Sequence, residues 1–264
     1  MKNNYIKATV AIISSVVLLV VVWLGLSWFL LIQSTTLVFQ NQVSWASVPE
    51  SPSLQYKITW LKNSQNNNFS VWEFQNPSTD QYVIYTHGNA GRLLNFFPSL
   101  TSKYNAISPA YPGYSESESN PSQEKSFEAA LLTYDWLVNT KGIKENKITI
   151  FGHSLGGSVA TYLASKKPNA KELVLVNTFS SVQSMCIRSY GPFCVFAGGV
   201  FNSSEMAKNV TIPLRHFAYK NDTTIPFEEN KKLFESFKSN DKVFYEMSGY
   251  THSYPNFTEI LPNI

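Results

Sequence analysis

A serine flanked by glycines lies between an apolar run and an amphipathic segment, in the stretch Gly152-His153-Ser154-Leu155-Gly156. A sharp strand-to-helix turn of this composition strains the serine backbone and directs its hydroxyl out of the sheet edge, and small residues at 152 and 156 accommodate the turn. We therefore expect Ser154 to be a nucleophile. Because the serine also begins a helix, the free N–H of Leu155 is predicted to face an oxyanion formed there.

A second glycine-containing turn, His87-Gly88-Asn89-Ala90-Gly91, follows the apolar run at 82–86. Backbone N–H groups in such a turn can supply the other donor to an oxyanion, and we assign this donor to the N–H of Asn89. A plain strand-to-helix turn is the alternative. His87 is predicted to be a hydrogen-bonded structural residue rather than a base.

A serine hydroxyl is a poor nucleophile without a base, and the chain has four histidines. Two of them, His87 and His153, belong to the glycine-containing turns, and His216 lies in the middle of a predicted strand. His252, just past the last predicted strand, is therefore the candidate base.

The acid that orients this base should follow the serine and precede the histidine in the chain. Asp222 comes directly after the predicted strand at 214–219, whereas Asp241 precedes a strand and so belongs to the opposite end of the sheet. Asp222 is the predicted acid. Glu228 and Glu229 are the alternatives.

The elements that must position these side chains are short β-branched runs separated by helical patterns. Helix-like spacing occurs at 126–139, 155–166 and 227–237. The strand-like runs lie at 55–61, 69–74, 82–86, 105–111, 147–151, 173–177, 214–219 and 242–247. This alternation predicts a three-layer α/β domain over 55–264 with a mainly parallel sheet, whose ligands bind at the carboxyl ends of the strands.

The amino-terminal segment has no charged residue from Ala8 to Ile32, which is longer than the ~20 residues that a spanning helix needs. We predict an uncleaved signal anchor over 1–34, with a transmembrane helix at about 8–32, and a linker over 35–54. A cleaved signal peptide has a shorter apolar region and is the alternative. Lys2 and Lys7 precede the helix and the next basic residue is Lys57, so the positive-inside rule predicts a cytoplasmic amino terminus and a catalytic domain on the periplasmic, lumenal or extracellular side.

The composition excludes other classes. The formal net charge is +3 for 264 residues, which does not indicate nucleic-acid binding. Cys186 and Cys194 are too few for a disulfide scaffold and lack the neighbours of a zinc site, so either one bridge or two buried thiols is expected. We predict no metal and no cofactor. The apolar, Gly-containing segment at about 178–208 is predicted to be a small cap, with a core helix as the alternative.

Four stretches together resemble a known family: HGNAG, AYPGYSESES, GHSLGG, and KNDTTIP followed by a late histidine. Over about 55–257 the chain resembles the α/β-hydrolase superfamily, and within it the membrane-anchored Bem46-like proteins and the ABHD12, ABHD13 and ABHD17 subgroups. The resemblance implies the same site: Ser154 as nucleophile, Asp222 as acid, His252 as base, and Asn89 and Leu155 as the oxyanion hole. The chain departs from the family in having Ser-Pro-Ala where an Asp usually precedes Y-x-G-Y, and Gly-Tyr-Thr-His in place of Gly-Gly-His.

These observations predict a membrane-anchored serine hydrolase that cleaves ester or thioester bonds through an acyl-enzyme. The membrane anchor and the apolar segment favour acyl or lipid-like small molecules as substrates. Lipase, acyl-thioesterase and small-ester hydrolase remain open, as do transacylation and the oligomeric state. A tethered binding module without turnover, and a serine peptidase with the same triad, are the alternatives.

Overall fold

The computed structural model describes residues 2–39, 56–89, 96–114, 117–118, 120–194, 199–249, 252 and 255–264. Most of the predicted linker lies outside these residues. So do Ala90 and Gly91 of the turn at 87–91 and parts of the YSESES and Gly-Tyr-Thr-His stretches. The strands are β1 (Tyr56–Lys62), β2 (Asn68–Phe74), β3 (Tyr82–Thr86), β4 (Asn105–Pro109), β5 (Ile148–His153), β6 (Glu172–Val176), β7 (Leu214–Tyr219) and β8 (Lys242–Met247). The helices are α1 (Lys2–Val38), α2 (Phe97–Leu100), α3 (Gln123–Asn139), α4 (Leu155–Lys166), α5 (Val182–Tyr190), α6 (Ser203–Ala207), α7 (Phe227–Ser236) and α8 (Phe257–Ile260).

The eight strands form one sheet in the order β1-β2-β4-β3-β5-β6-β7-β8. The pairs β1–β2 and β2–β4 are antiparallel, and every pair from β4 to β8 is parallel. The predicted α/β class with a mainly parallel sheet is therefore confirmed. The carboxyl ends of β3, β5, β6 and β7 meet at one edge, because these strands are neighbours that run in the same direction.

The sheet is buried on both faces, which explains why its central strands are continuous apolar runs. In β3, side-chain alternation places Ile84 in one hydrophobic core, here called the first core, and Val83 and Tyr85 in the second core on the other face of the sheet. The first core packs against α3, α4 and α7, and the second against α2 and α8. This is the three-layer arrangement that the sequence predicts.

Helix boundaries follow the capping residues. The hydroxyl of Ser122 accepts a hydrogen bond from the Lys125 N–H at 3.2 Å, so α3 begins at Gln123. The predicted start at Ser126 was three residues late. The predicted helix at 155–166 coincides with α4.

Helix α1 is longer than the predicted span and reaches Val38, so the first residues of the predicted linker are helical. Its segment Tyr5–Phe29 has a mean hydropathy of 2.6 and lies outside both cores, and it is the one stretch in the described residues that is long and apolar enough to cross a membrane. The helix contacts the 3₁₀ turn at Gly191–Cys194, but most of its apolar side chains are exposed, as is typical of a membrane anchor. Beyond it, Phe39 is only 2% exposed and packs in the first core.

The segment predicted as a cap contains α5, a 3₁₀ turn (Gly191–Cys194) and α6. A disulfide joins Cys186 to Cys194 with a Cα–Cα distance of 5.6 Å, so of the two alternatives the structure has the bridge. Ile187 and Tyr190 of α5 are 43% and 58% exposed. Val195 and Phe196 of this segment lie outside the described residues.

Candidate active site

Ser154 lies between the end of β5 and the start of α4, with φ of 56° and ψ of −125°. A residue with a Cβ rarely adopts a positive φ, so the surrounding contacts must hold it there. The Ser154 N–H donates to the Val176 carbonyl at 3.1 Å, and its carbonyl accepts from the Thr178 hydroxyl at 2.8 Å. Both polar groups of the strained residue are thus fixed by the end of β6 and the loop that follows it.

The two glycines of the motif allow the close packing around this turn. A Cβ on Gly156 would overlap the carbonyl oxygen of Thr86, at the end of β3. A Cβ on Gly152 would press on the Cβ of Ala160 and on the backbone of Gly157. The start of α4 can therefore approach β3 closely because position 156 lacks a side chain, and β5 closely because position 152 lacks one.

Ser154, His252 and Asp222 form a continuous hydrogen-bonded series. The Ser154 Oγ lies 2.9 Å from the His252 Nε2, and the His252 Nδ1 lies 2.6 Å from the Asp222 Oδ2. An ionised carboxylate only accepts, so Nδ1 carries the ring proton and Nε2 accepts the hydrogen bond from the serine. The structure thus brings together the three residues that were selected from the sequence.

Asp222 is fixed by its own turn. Its Oδ1 accepts hydrogen bonds from the backbone N–H groups of Thr224 and Ile225, at 2.8 and 2.9 Å. The side chain has no exposed surface, whereas the His252 side chain keeps 14% exposure. The carboxylate is therefore buried and oriented, and the imidazole remains accessible at the mouth of the site.

His153, next to the serine, contacts His252 directly. Its Nε2 lies 2.8 Å from the His252 carbonyl oxygen, and the two ring centroids are 5.1 Å apart. The pKa of His153 is lowered to about 3, chiefly by burial and also by the neighbouring His252, although the hydrogen bond to the His252 carbonyl and the charge of Asp222 oppose this shift. The ring is neutral and donates its Nε2 proton to that carbonyl.

Two further histidines are buried away from the triad. The His87 ring stacks on Tyr111 with centroids 3.9 Å apart, and its Nδ1 lies 2.8 Å from the Gly88 carbonyl oxygen. His216 lies in β7 with its Nε2 3.1 Å from the Asn230 Oδ1. Burial lowers the pKa of each to about 4, so both are neutral at physiological pH and neither is placed to act as the base.

The residues predicted for the oxyanion hole lie on either side of the serine. Leu155 is the first residue of α4, so its N–H has no partner within the helix. Asn89 follows β3, and its Oδ1 accepts a hydrogen bond from the Tyr114 hydroxyl at 2.7 Å. Gly88 packs beside the serine, since a Cβ there would lie 3.2 Å from the Ser154 Cβ.

The alternative acids have other partners. Asp241 binds Arg215, with Oδ1 to Nη1 at 2.7 Å, at the opposite end of the sheet. Glu229 is buried and accepts from the hydroxyls of Ser180 and Ser184, both at 2.5 Å. Glu228 is exposed. None of the three carboxylates contacts His252 in the described contacts.

Sequence reasoning missed the support behind the serine. The Thr178 N–H donates to the Asn230 Oδ1 at 2.8 Å, and that oxygen also accepts from His216. Thr178 follows β6 and Asn230 lies in α7, so two elements meet under the nucleophile. The sequence signal was the polar Asn-Thr pair directly after the apolar run of β6, where loops of such sheets carry functional residues.

No group of three or more metal-ligating side chains occurs in the part of the chain that the structure describes. The chemistry that the arrangement supports is acyl transfer, in which a hydroxyl, a base and an orienting acid suffice.

Comparisons with known proteins agree with this fold. Residues 81–187, which include both glycine-containing turns and Ser154, match the model of the alpha/beta hydrolase fold. The chain has the α/β-hydrolase fold and is similar to the ABHD12 proteins. It is 27% identical over 256 residues to the lysophosphatidylserine lipase ABHD12 of Macaca fascicularis, covering 83% of this chain and 61% of that one. It is also 25% identical to a putative alpha/beta hydrolase of Acanthamoeba polyphaga mimivirus, covering 76% of this chain and 80% of the relative.

The chain spans about three fifths of the length of its ABHD12 relatives. It also superimposes on solved structures of the same fold. The Pyrococcus furiosus esterase Pf2001 matches with a TM-score of 0.66 and 18% identity, covering 84% of this chain and 90% of the esterase. At this identity the likeness demonstrates the fold, and the activity has to be argued from the site.

Proposed function

We propose that this α/β-hydrolase is a membrane-anchored serine hydrolase that cleaves ester or thioester bonds of acyl or lipid-like substrates. One observation carries the proposal: the hydrogen-bonded series from the Ser154 Oγ to the His252 Nε2, and from the His252 Nδ1 to the Asp222 carboxylate. Each heavy-atom distance lies within the range over which a proton can be transferred directly.

In the proposed reaction, His252 accepts the Ser154 proton as the serine oxygen attacks the acyl carbonyl. Asp222 holds the imidazole in the correct tautomer and stabilises the imidazolium. The N–H groups of Leu155 and Asn89 stabilise the tetrahedral oxyanion, and loss of one such donor typically lowers turnover by about 100- to 1,000-fold. His252 then protonates the leaving group, and an acyl-enzyme remains on Ser154.

In the second half-reaction His252 acts as base towards water, which attacks the acyl carbonyl and releases the acid. The strained backbone of Ser154 keeps its hydroxyl in place through both halves. His153 is a positioning residue in this scheme, since its hydrogen bond fixes the backbone of His252.

Two features support an acyl or lipid-like substrate. Helix α1 presents a long apolar surface that is mostly exposed, which would hold the domain at a bilayer. Relatives that resemble most of the chain are lysophosphatidylserine lipases. We infer that single-chain lysophospholipids are the first substrates to test, beside simple acyl esters and thioesters.

The test is fluorophosphonate labelling of the full-length protein in membranes, in wild type and Ser154→Ala, with Ser158→Ala as a control. Ser158 is a buried serine of α4, the helix that begins directly after Ser154, and its hydroxyl lies 2.9 Å from the Ser203 hydroxyl. We expect labelling of wild type and Ser158→Ala, and none of Ser154→Ala. No labelling of the folded wild type would contradict the proposal and favour a tethered binding module.

A chain-length series of p-nitrophenyl and acyl-thioester substrates, with lysophospholipids, then defines the substrate. An optimum at long chains supports lipid hydrolysis, whereas an optimum at two to four carbons would indicate a small-ester hydrolase. Faster cleavage of peptide amides than of matched esters would favour a peptidase on the same triad.

We also propose that the amino terminus is cytoplasmic and that the domain lies on the outer side, because Lys2 and Lys7 precede the apolar helix. Protease added to the cytoplasmic side of sealed vesicles should leave the domain intact. Digestion from that side would reverse the orientation.

A further inference from the structure

The end of the membrane helix packs on residues next to the candidate oxyanion hole. Phe39, just beyond α1, makes edge-to-face contacts with Phe201 and Tyr114, with ring centroids 5.7 and 6.3 Å apart. Its side chain is 2% exposed and belongs to the first hydrophobic core. The anchor is therefore continuous with the packing of the catalytic domain.

Tyr114 in turn holds Asn89. Its hydroxyl donates to the Asn89 Oδ1 at 2.7 Å, and its ring is 1% exposed. The ring also makes edge contacts with His87 at 5.2 Å and with Tyr111 at 6.0 Å. Tyr114 is thus enclosed on three sides, and its one polar atom points to the turn that follows β3.

From this arrangement we propose that Tyr114 and Phe39 are positioning residues for the oxyanion hole. Phe39 fixes the ring of Tyr114, whose hydroxyl fixes Asn89, so the end of the membrane helix influences the rate of the chemical step. The inference rests on the proposed function, because it takes the Asn89 N–H as an oxyanion donor.

The physical basis is the geometric precision that oxyanion stabilisation requires. A donor acts on the transition state only when it lies at hydrogen-bond distance from the developing oxyanion, and small displacements lose much of its effect. Without the Tyr114 hydroxyl, the Asn89 side chain loses a partner that holds its turn. Without the Phe39 ring, Tyr114 has free space on one side.

The first variant is Tyr114→Phe in the full-length protein, which keeps the ring and removes the hydroxyl. We expect kcat for a soluble p-nitrophenyl ester to fall about tenfold with little change in KM, a fraction of the effect of losing a whole donor. The Ki of an acyl trifluoromethyl ketone, which forms an oxyanion adduct with serine, should rise by a similar factor. A change that merely loosens the fold would not raise Ki and lower kcat in proportion.

Tyr85→Phe is the matched control. Tyr85 is also fully buried, its hydroxyl has no hydrogen-bond partner within the described part of the chain, and its ring lies in the other core. Its kcat and Ki should equal those of wild type.

The second test separates the membrane helix from general packing. Phe39 and Phe127 both pack on Phe201, with ring centroids 5.7 and 5.6 Å away. Among the described residues Phe127 also stacks on Tyr162, whereas Phe39 contacts Tyr114. Phe39→Ala and Phe127→Ala should lower the melting temperature alike. Only Phe39→Ala should lower kcat and raise the Ki of the ketone, by about three- to tenfold, and Phe39→Tyr should restore both.

This inference would be overturned if Tyr114→Phe and Phe39→Ala had the kcat and Ki of wild type. The proposed function would still stand in that case, provided that Ser154→Ala is inactive. Equal losses in Phe39→Ala and Phe127→Ala would also overturn it, since the effect would then be one of packing. An inactive, unlabelled wild type would instead remove the proposed function, and this inference with it.

Discussion

The imidazole of His153 donates a hydrogen bond to the backbone carbonyl of His252, with 2.8 Å between Nε2 and oxygen, across 99 positions of the chain. The residue next to the nucleophile thus fixes the backbone of the base. Because His153 is buried and its pKa is lowered to about 3, this donor persists throughout the pH range in which the enzyme would work.

Replacement of His153 should therefore impair catalysis without removing a reacting group. His153→Phe keeps an aromatic ring but has no donor, and we expect kcat to fall about 10- to 100-fold with little change in KM, as a displaced base would cause. His153→Gln keeps an N–H donor and should recover most of the loss. Steady-state kinetics with a soluble ester measures both, and wild-type kcat in His153→Phe would contradict this role.

Asp222→Asn should lower kcat by about 10⁴-fold, because the amide favours the wrong tautomer of His252. The fold should persist, since an amide oxygen can still accept from the Thr224 and Ile225 N–H groups. Asp241→Asn is the control, as it removes only the contact with Arg215. If Asp222→Asn kept full activity and Glu229→Gln lost activity, the result would contradict this assignment and indicate Glu229 as the acid.

Thr178→Val should reduce both stability and turnover. It removes the hydroxyl that donates to the Ser154 carbonyl at 2.8 Å, and because that carbonyl keeps the hydrogen bond from the Gly157 N–H, we expect a loss of about 0.5–1.5 kcal/mol. Thr178→Ser retains the hydroxyl and should behave more like wild type. Urea unfolding and kcat measure the two effects, and equal values for the Val and Ser variants would show that the hydrogen bond is dispensable.

Stability should decrease on acidification from about pH 6.5, the ordinary pKa of histidine. His87, His153 and His216 have lowered pKa values of about 4, 3 and 4, so the unfolded chain binds more protons than the folded chain below pH 6.5. The stability that these groups contribute is present above pH 6.5 and is lost as the pH falls towards 3–4. Each histidine can change the folding equilibrium constant by up to about tenfold per pH unit.

The measurement is the free energy of unfolding between pH 7.5 and pH 5, a range in which carboxylates titrate little. His216→Gln removes one titrating ring and keeps a donor for Asn230, so its pH dependence should be shallower than that of wild type. A flat profile in wild type would contradict the neutral burial of these rings.

The fold was predictable because its signals are local. Each central strand is an apolar run. Ser154 and Asp222 stand shortly after two of them and His252 follows the edge strand β8, in an order that few topologies accept. Helix α3 was misjudged at its start because Ser122, its cap, lies in a Ser- and Pro-rich stretch that suggests a loop.

The supporting contacts could not be predicted, because they join residues that are distant in the chain. The Tyr114 hydroxyl reaches Asn89 over 25 positions, and Thr178 reaches Asn230 over 52. No spacing rule connects such pairs, and their side chains are as typical of a core as of a site. They become visible only when the sheet order brings the loops to one edge.

The most direct test of the central claim is peptide mass mapping of the full-length protein in detergent micelles after reaction with a fluorophosphonate. An activated serine forms a stable phosphonyl adduct, and the account predicts this adduct on Ser154 alone, in wild type and in Ser158→Ala. An adduct on another serine, or no adduct on a folded protein, would contradict the assignment of Ser154 as the nucleophile.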